Sequence, residues 1–326
     1  MISRRCFLTA FVLCPIFAPA TAISETRIHR VGFIASSPPD GYKGFLDEFL
    51  AALKQYGYAE GKNLVVEQRW TDGAIAPLAA RAEELVQARV DVIVAWGTPA
   101  TLAAKKASNQ IPIVMVSIGD PVGTGIVSNL ARPGGNVTGN SNVATELSAK
   151  LLALVKEVLP GATRIGVLRN VANPLSKLHL GETERAARAL GVTLYVVDSQ
   201  ETGEFEMAFA LLKKRGVDAV VALADPPVLR KRNQIAALAL QHRIPTAFPR
   251  SENVEAGGLM SYGSSNVEHF RSAAGYVHRI LQGSSPANMP VEQATRLELV
   301  INLRTAKTLG VTVPNAILVR ADRVIE

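Results

Sequence analysis

The chain has 326 residues, of which 48% are hydrophobic and 19% are charged. This length accommodates two ordinary domains, and the composition excludes a disordered chain. The formal net charge of +7 is spread along the sequence without a polybasic run interleaved with aromatic residues, so no nucleic-acid partner is predicted.

Residues 1–22 have the layout of an export signal peptide. Arg4 and Arg5 precede an apolar run, and the small residues Ala-Thr-Ala at 20–22 form a cleavage signal. The segment Ser-Arg-Arg-Cys-Phe-Leu at 3–8 resembles a twin-arginine motif, but Sec signals also begin with basic residues, so both export routes remain open. We therefore expect the mature protein in the periplasm.

The rest of the chain carries no pattern typical of an enzyme. Both cysteines, Cys6 and Cys14, lie in the signal segment, so we expect no disulfide-linked partner and no thiolate metal site. The five histidines show no metal-binding spacing, and neither a GxSxG elbow nor a phosphate-binding glycine loop is present. The sequence therefore predicts no cofactor, no metal and no catalytic residue.

Short apolar or alternating segments alternate with segments of helical periodicity. In the first half, strands are predicted at 31–36, 63–70, 90–96 and 111–117, and helices at 44–57, 76–90 and from Thr98 onward. Further on, helices are predicted at 147–160 and 266–283, and a strand followed by a helix at 297–314. The glycine-rich segment 131–139 is interpreted as a turn.

Four segments of the first half recur in the same order in the second. VDVIVAWGTPAT and VDAVVALADPPV are the clearest pair. The pairs are 30–39 with 164–174, 53–67 with 187–199, 90–101 with 217–228, and 111–116 with 244–249. The alternative is that any α/β protein reuses apolar strands, but four matches in series favour two copies of one supersecondary plan.

This organisation predicts an α/β fold of two lobes, each with a parallel sheet covered by helices on both faces. We expect an N-terminal lobe of residues 28–143 plus about 264–290 and a C-terminal lobe of residues 144–263 plus about 291–326. Crossings near 141–146, 261–266 and 286–294 would form a hinge between them.

Ligands of open parallel sheets bind beyond the carboxyl ends of the strands, and this rule selects the candidate ligand-binding residues. They are Ser36, Ser37, Gly97, Thr98, Pro99, Ala100, Ser117, Asp120, Asn170, Asn173 and Asp225 at strand ends, Asn140 and Ser141 at the first crossing, and Tyr262 as a wall of the pocket.

Thr98-Pro99 has the form of a helix N-terminus, where free amides attract an anion such as a carboxylate. Plain helix capping without a ligand explains the same pair. Asp120 and Asp225 precede prolines, and each either caps a helix or receives a ligand ammonium group.

Several segments together resemble the ABC-transporter substrate-binding proteins related to tryptophan-binding TrpX-type proteins. They are GYAEGKNLVVEQRW, VDVIVAWGTPAT, IPIVMVSIGDPVGTGIV, LARPGGNVTG and EAGGLMSYG. The resemblance covers essentially the whole mature chain and implies a type I periplasmic-binding-protein fold with two Rossmann-like lobes and three crossovers. It also implies an ABC permease in the inner membrane as partner and a small zwitterionic ligand, with aromatic amino acids among the family's ligands.

Two other functions are compatible with the same fold. One is a sensory receptor module that signals ligand occupancy to a membrane kinase. The other is an enzyme, which a catalytic triad or a cofactor loop would indicate, and the sequence shows neither.

Overall fold

The structure is a computed structural model that describes residues 27–37, 43–198 and 204–326, so the predicted signal peptide lies outside the described residues. The strands are β1 His29–Ala35, β2 Leu64–Trp70, β3 Val92–Trp96, β4 Ile113–Ile118, β5 Val137–Ser141, β6 Arg164–Arg169, β7 Thr193–Asp198, β8 Ala219–Ala222, β9 Thr246–Phe248, β10 Met260–Gly263, β11 Glu292–Gln293, β12 Glu298–Asn302 and β13 Arg323–Ile325. The helices are α1 Lys43–Gln55, α2 Leu78–Gln87, α3 Thr98–Ala107, α4 Ala144–Val158, α5 Leu175–Leu190, α6 Phe205–Arg215, α7 Pro226–Arg230, α8 Arg232–His242, α9 Ser251–Glu255, α10 Asn266–Leu281, α11 Leu303–Leu309 and α12 Asn315–Arg320, with a 3₁₀ turn at Pro286–Asn288.

The strands form two sheets with matching strand orders. The first sheet runs β11-β5-β4-β3-β1-β2 and the second runs β13-β12-β10-β9-β8-β6-β7. The order β2-β1-β3-β4-β5 of one sheet is repeated as β7-β6-β8-β9-β10 in the other. All strand pairs are parallel except β10 with β12. The predicted α/β class with two parallel sheets is confirmed.

The central strands are apolar on both faces because helices cover both faces. In β3, Val92 and Val94 pack in the cluster that includes Phe49 of α1 and Val277 of α10. Ile93, between them, faces the cluster formed with α2 and α3. Burial of both faces explains why β3 reads as a continuous apolar run rather than an alternating one.

We call the first sheet with α1, α2, α3 and α10 the first lobe, and the second sheet with the remaining helices the second lobe. The chain passes between the sheets at 142–143, 264–265 and 294–297. The last of these passages follows Glu292–Gln293, which pairs with Asn140 and Ser141 of the first sheet. The third crossing therefore begins at the end of the predicted range 286–294 and extends three residues beyond it.

The interpretation of residues 131–139 as a turn is wrong at its end, because Val137–Ser141 is strand β5. The strand was hidden by its composition of glycine and short polar residues, which is atypical of strands. Gly139 has φ +133°, and a Cβ there would lie 2.1 Å from the carbonyl oxygen of Met115. The hydroxyl of Thr138 donates to the carbonyl of Met289 over 2.7 Å. Close backbone packing thus replaces apolar side chains as the determinant of this strand.

The two lobes touch along the edges of the cleft between them. A Cβ on Gly119 of the first lobe would come within 2.5 Å of Leu175 Cδ2 of the second lobe. A Cβ on Gly73 of the first lobe would lie 2.8 Å from Nη2 of Arg230 in the second lobe. The cleft is therefore closed. Among the helices of the described ranges, none is both long enough and apolar enough to cross a membrane.

Candidate ligand-binding cleft

A cavity lies between the two lobes at the carboxyl ends of their strands. Its empty volume, including the open mouth, is about 540 Å³, within the range of small-molecule sites. Five of the predicted site residues line it: Gly97, Thr98, Ser117, Asn173 and Asp225.

Thr98 begins helix α3, which follows strand β3 of the first lobe. Its side chain is 3% exposed and its Oγ1 has no hydrogen-bond partner among the described residues. The first backbone bond of the helix runs from Thr101 N to Gly97 O, so the amide of Thr98 precedes the helical hydrogen-bond ladder. Thr98 thus lines the cavity at the start of a helix and carries a buried hydroxyl without a partner among the described residues.

Asp225 lies on the opposite wall, after strand β8 of the second lobe. Its Oδ2 accepts a hydrogen bond from Asn170 Nδ2 at 3.0 Å, and its Oδ1 accepts one from Asn173 Nδ2 at 2.8 Å. The side chain makes no capping hydrogen bond to helix α7, which it precedes. The side-chain amides of Asn170 and Asn173 therefore hold the carboxylate in place.

Ser117 lies in strand β4 beside the hinge and has a left-handed backbone, with φ +59°. Its amide donates to Asn140 Oδ1 at 2.8 Å. Its hydroxyl oxygen accepts from Asn142 Nδ2 at 3.0 Å and lies 3.3 Å from Asn266 Oδ1, the acceptor for its own proton. Hydrogen bonds to Asn140, Asn142 and Asn266 thus hold the strained backbone conformation of Ser117 in place.

Arg250 lines the cavity and was missed by the sequence reasoning. Its Nη2 donates to Ser117 Oγ at 2.7 Å and its Nη1 donates to the carbonyl of Ser264 at 3.1 Å. Burial lowers the pKa of the guanidinium, and the nearby charge of Glu252 opposes that effect. Within the described ranges, no carboxylate oxygen lies within 4.0 Å of this arginine. Applying the strand-end rule to β9 would have found it, because Arg250 follows Pro249 directly after that strand.

Trp96 supplies an aromatic wall at the end of β3. The indole is half-buried and lines the cavity. It packs edge-on against Phe45 at 5.6 Å and Phe270 at 5.2 Å between ring centroids. Together with Leu175, Val228 and other apolar residues, it gives the cavity a mixed lining of charged ends and apolar walls.

Nine predicted site residues do not line the cavity. They are Ser36, Ser37, Pro99, Ala100, Asp120, Asn140, Ser141, Asn170 and Tyr262.

Four of these nine residues hold neighbouring structure in place. Asp120 caps a turn through a 2.7 Å bond from Gly123 N to its Oδ1. Asn140 and Ser141 hold the hinge, with bonds to the carbonyls of His269 and Ile118, respectively. Asn170 acts on the cavity only through Asp225.

The other five are buried or half-buried by packing. Pro99 and Ala100 pack inside the first turn of α3, and Tyr262 packs against the core of the second lobe. Ser36 and Ser37 are buried at the end of β1, just before residues that lie outside the described ranges. Strand-end position alone cannot tell a side chain that points into the cleft from one that supports its wall.

Residues 37–325 match the family model described as ABC transporter substrate binding protein. A tyrosine-binding protein of Clostridioides difficile (strain R20291) is 28% identical over 261 residues, which are 80% of this chain and 75% of that protein.

Two solved structures have the same architecture. The structure of a conserved domain protein from Vibrio cholerae has a TM-score of 0.85 and 29% identity, covering 91% of this chain and all of that one. An ABC domain in complex with L-Trp from Streptococcus pneumoniae has a TM-score of 0.83 and 25% identity over the same shares.

The fold is that of the type I periplasmic binding proteins, two lobes closing on a cleft. The chain belongs to the ABC transporter substrate binding protein family, since the family model spans nearly all of it. The family, the tyrosine-binding relative and the domain in complex with L-Trp are described as binding proteins rather than enzymes.

Proposed function

We propose that this protein is the extracytoplasmic solute-binding component of an ABC importer and that it captures a small zwitterionic amino acid between its lobes. The observation that carries the proposal is that one cavity is lined by Asp225, Arg250 and Thr98, whose hydroxyl has no partner among the described residues. A single free amino acid presents one cation and one anion on the same carbon atom, which this arrangement complements.

The ammonium group of the ligand binds Asp225. Asn170 and Asn173 fix this carboxylate, so little ordering is required when the ligand arrives. A charge-assisted bond in a closed cleft is stronger than the same bond in water.

The carboxylate group of the ligand binds the Thr98 hydroxyl and the start of helix α3, whose dipole favours an anion. Arg250 adds a positive charge from the second lobe. A guanidinium stays protonated in a protein, and a half-buried one without a carboxylate within reach is stabilised by an anionic ligand.

The side chain of the ligand is aromatic in this proposal. Trp96 lines the cavity wall, and aromatic pairs gain about 1 kcal/mol beyond area burial. The relatives that bind tyrosine and L-Trp support the same ligand class.

Ligand identity is tested by denaturing the natively purified protein and analysing released small molecules by mass spectrometry. Calorimetry with the ligand-free protein then compares each L-amino acid with its N-acetyl and amide derivatives. We expect the free amino acid to bind and both derivatives to bind at least about tenfold more weakly, since each lacks one charge. Equal binding of the derivatives, or release of a sugar instead, would refute a zwitterion site.

The location and partner are tested separately. Fractionation is expected to place a chain starting near Ile23 in the periplasm, and a full-length cytoplasmic product would contradict export. Replacing Arg4 and Arg5 with lysine abolishes export by the twin-arginine route and leaves Sec export unaffected. Pull-down with ligand-loaded protein is expected to recover an inner-membrane ABC permease. Recovery of a membrane kinase instead would identify a sensory receptor.

A further inference from the structure

Asn253 carries a buried acceptor that no group of the described chain satisfies. It lies in helix α9, is 1% exposed and lines the cleft cavity. Its Nδ2 donates to the carbonyl of Val228 at 3.2 Å, while its Oδ1 has no partner. A carbonyl can only accept, so the bond to Val228 fixes which end of the amide is nitrogen and leaves the oxygen as the unpaired atom.

The position of Asn253 separates it from the charged residues of the cleft. Asp225 directly precedes helix α7 and Arg250 directly precedes helix α9. Val228 and Asn253 come three residues further along these helices, and both are buried, whereas Asp225 and Arg250 are only half-buried. The cavity wall therefore includes, besides the charged residues, the buried residues Val228 and Leu229 of α7 and Asn253 of α9.

We infer that Asn253 is a specificity residue whose Oδ1 accepts a hydrogen bond from a donor on the side chain of the ligand. The inference rests on the proposed function and narrows it to amino acids with an aromatic ring that bears a donor, such as a phenol O–H or an indole N–H. An acceptor left buried and unpaired carries the full desolvation penalty, so a ligand without the donor is rejected. Binding sites built around such a bond discriminate far better than apolar pockets do.

Calorimetry with L-tyrosine, L-tryptophan and L-phenylalanine tests the inference on the unaltered protein. We expect phenylalanine to bind about 10- to 100-fold more weakly than the tighter of the other two. 4-Fluoro-L-phenylalanine, which has nearly the size of tyrosine but no donor, is expected to resemble phenylalanine. This comparison needs no variant and remains decisive if a variant fails to fold.

Asn253→Ala identifies the residue responsible. The variant is expected to weaken the preferred ligand and leave phenylalanine almost unchanged, which brings the two affinities within about threefold of each other. Asn302→Ala is the matched control. Asn302 is also buried and also donates from Nδ2 to a backbone carbonyl, that of Val254 at 3.1 Å, but its Oδ1 is bonded to Thr305 N and it does not line the cavity. Asn302→Ala is expected to lower the melting temperature without altering the preference for the donor-bearing ligand over phenylalanine.

Distinct results would overturn the inference. If the unaltered protein binds phenylalanine as tightly as it binds tyrosine and tryptophan, the site does not recognise a hydrogen-bond donor on the ligand side chain. An equal loss of affinity for all three ligands in Asn253→Ala would indicate that Asn253 contacts the ammonium group, which all three ligands share. Binding of only an amino acid without a side-chain donor would refute the inference and leave the proposed function intact, whereas failure of every amino acid to bind would refute the proposed function itself.

Discussion

Arg250 donates a hydrogen bond from Nη2 to Ser117 Oγ over 2.7 Å, and this bond joins the second lobe to the first beside the hinge. A second bond between the lobes runs from Asn266 Nδ2 to Glu252 Oε1 at 3.1 Å. Ser117 and Asn266 are themselves 3.3 Å apart, so the two bonds belong to one polar network. Because Arg250 also lines the cavity, the network links closure of the lobes to what the cavity contains.

Ser117→Ala is expected to weaken ligand binding by about 10- to 100-fold, because it removes the acceptor of a charge-assisted bond that joins the two lobes. Small-angle scattering should show that saturating ligand makes the parent protein more compact and that the variant needs more ligand to reach the same radius. Ser272→Ala, which removes a hydroxyl bonded to Glu292 away from the cleft, is the control. An unchanged radius of the parent with and without ligand would argue against hinge closure.

Asp225→Asn is expected to reduce affinity by about 2–5 kcal/mol, a loss of roughly 30- to several-thousand-fold, because the ligand ammonium loses its charged partner in a closed cleft. Thr98→Ala is expected to cost less, about 1 kcal/mol, since the helix amide remains. Calorimetry with the identified ligand measures both, with the melting temperature recorded for each variant.

The control for these two variants is Lys213→Ala, an exposed position on helix α6 that should leave affinity unchanged. If folded Asp225→Asn binds within threefold of the parent, Asp225 has a structural role and the ammonium binds elsewhere.

Stability is expected to fall as the pH drops from about 6.5 toward 3. Burial, together with the nearby charge of Arg250, lowers the pKa of both His179 and His269 from 6.5 to about 3. In this window the unfolded chain binds protons that the folded protein cannot, so each histidine lowers the free energy of unfolding by about 1.4 kcal/mol per pH unit. Above pH 6.5 neither state is protonated and the effect vanishes.

Urea unfolding at a series of pH values measures this slope. His179→Gln removes one of the two histidines and is expected to reduce the slope by about 1.4 kcal/mol per pH unit, the contribution of one proton. A slope that is the same in parent and variant would show that His179 titrates normally in the folded protein.

Gly139→Ala is expected to destabilise the protein by about 3 kcal/mol or more, because a Cβ would collide with the backbone of Met115 and the residue has a positive φ. Gly161→Ala, where a Cβ meets nothing within 4 Å, serves as the control and should change the free energy of unfolding by less than about 1 kcal/mol. Thermal unfolding compares the two, and similar melting temperatures would contradict the close packing of β5 on β4.

The two-lobed α/β class could be predicted from the sequence, because it depends on local periodicity and on a repeat that is visible by inspection. The strands β1, β3 and β4 are apolar runs in the sequence because both faces of each strand are buried. β5 could not be read in this way, since Gly139 and its polar neighbours form a strand through close backbone contact that no local pattern encodes.

For the cleft, the sequence determined which strand ends carry polar residues. Thr98, Ser117 and Asp225 were predicted in this way, and all three line the cavity. Only the tertiary structure decided which of those side chains face the cavity. Asn170 and Asn173 follow the same strand, yet only Asn173 lines the cavity, and Asp120 turns back to cap its own loop. Side-chain direction at a strand end depends on contacts between residues far apart in the chain, such as that of Arg250 with Ser117, and such contacts leave no mark in local sequence.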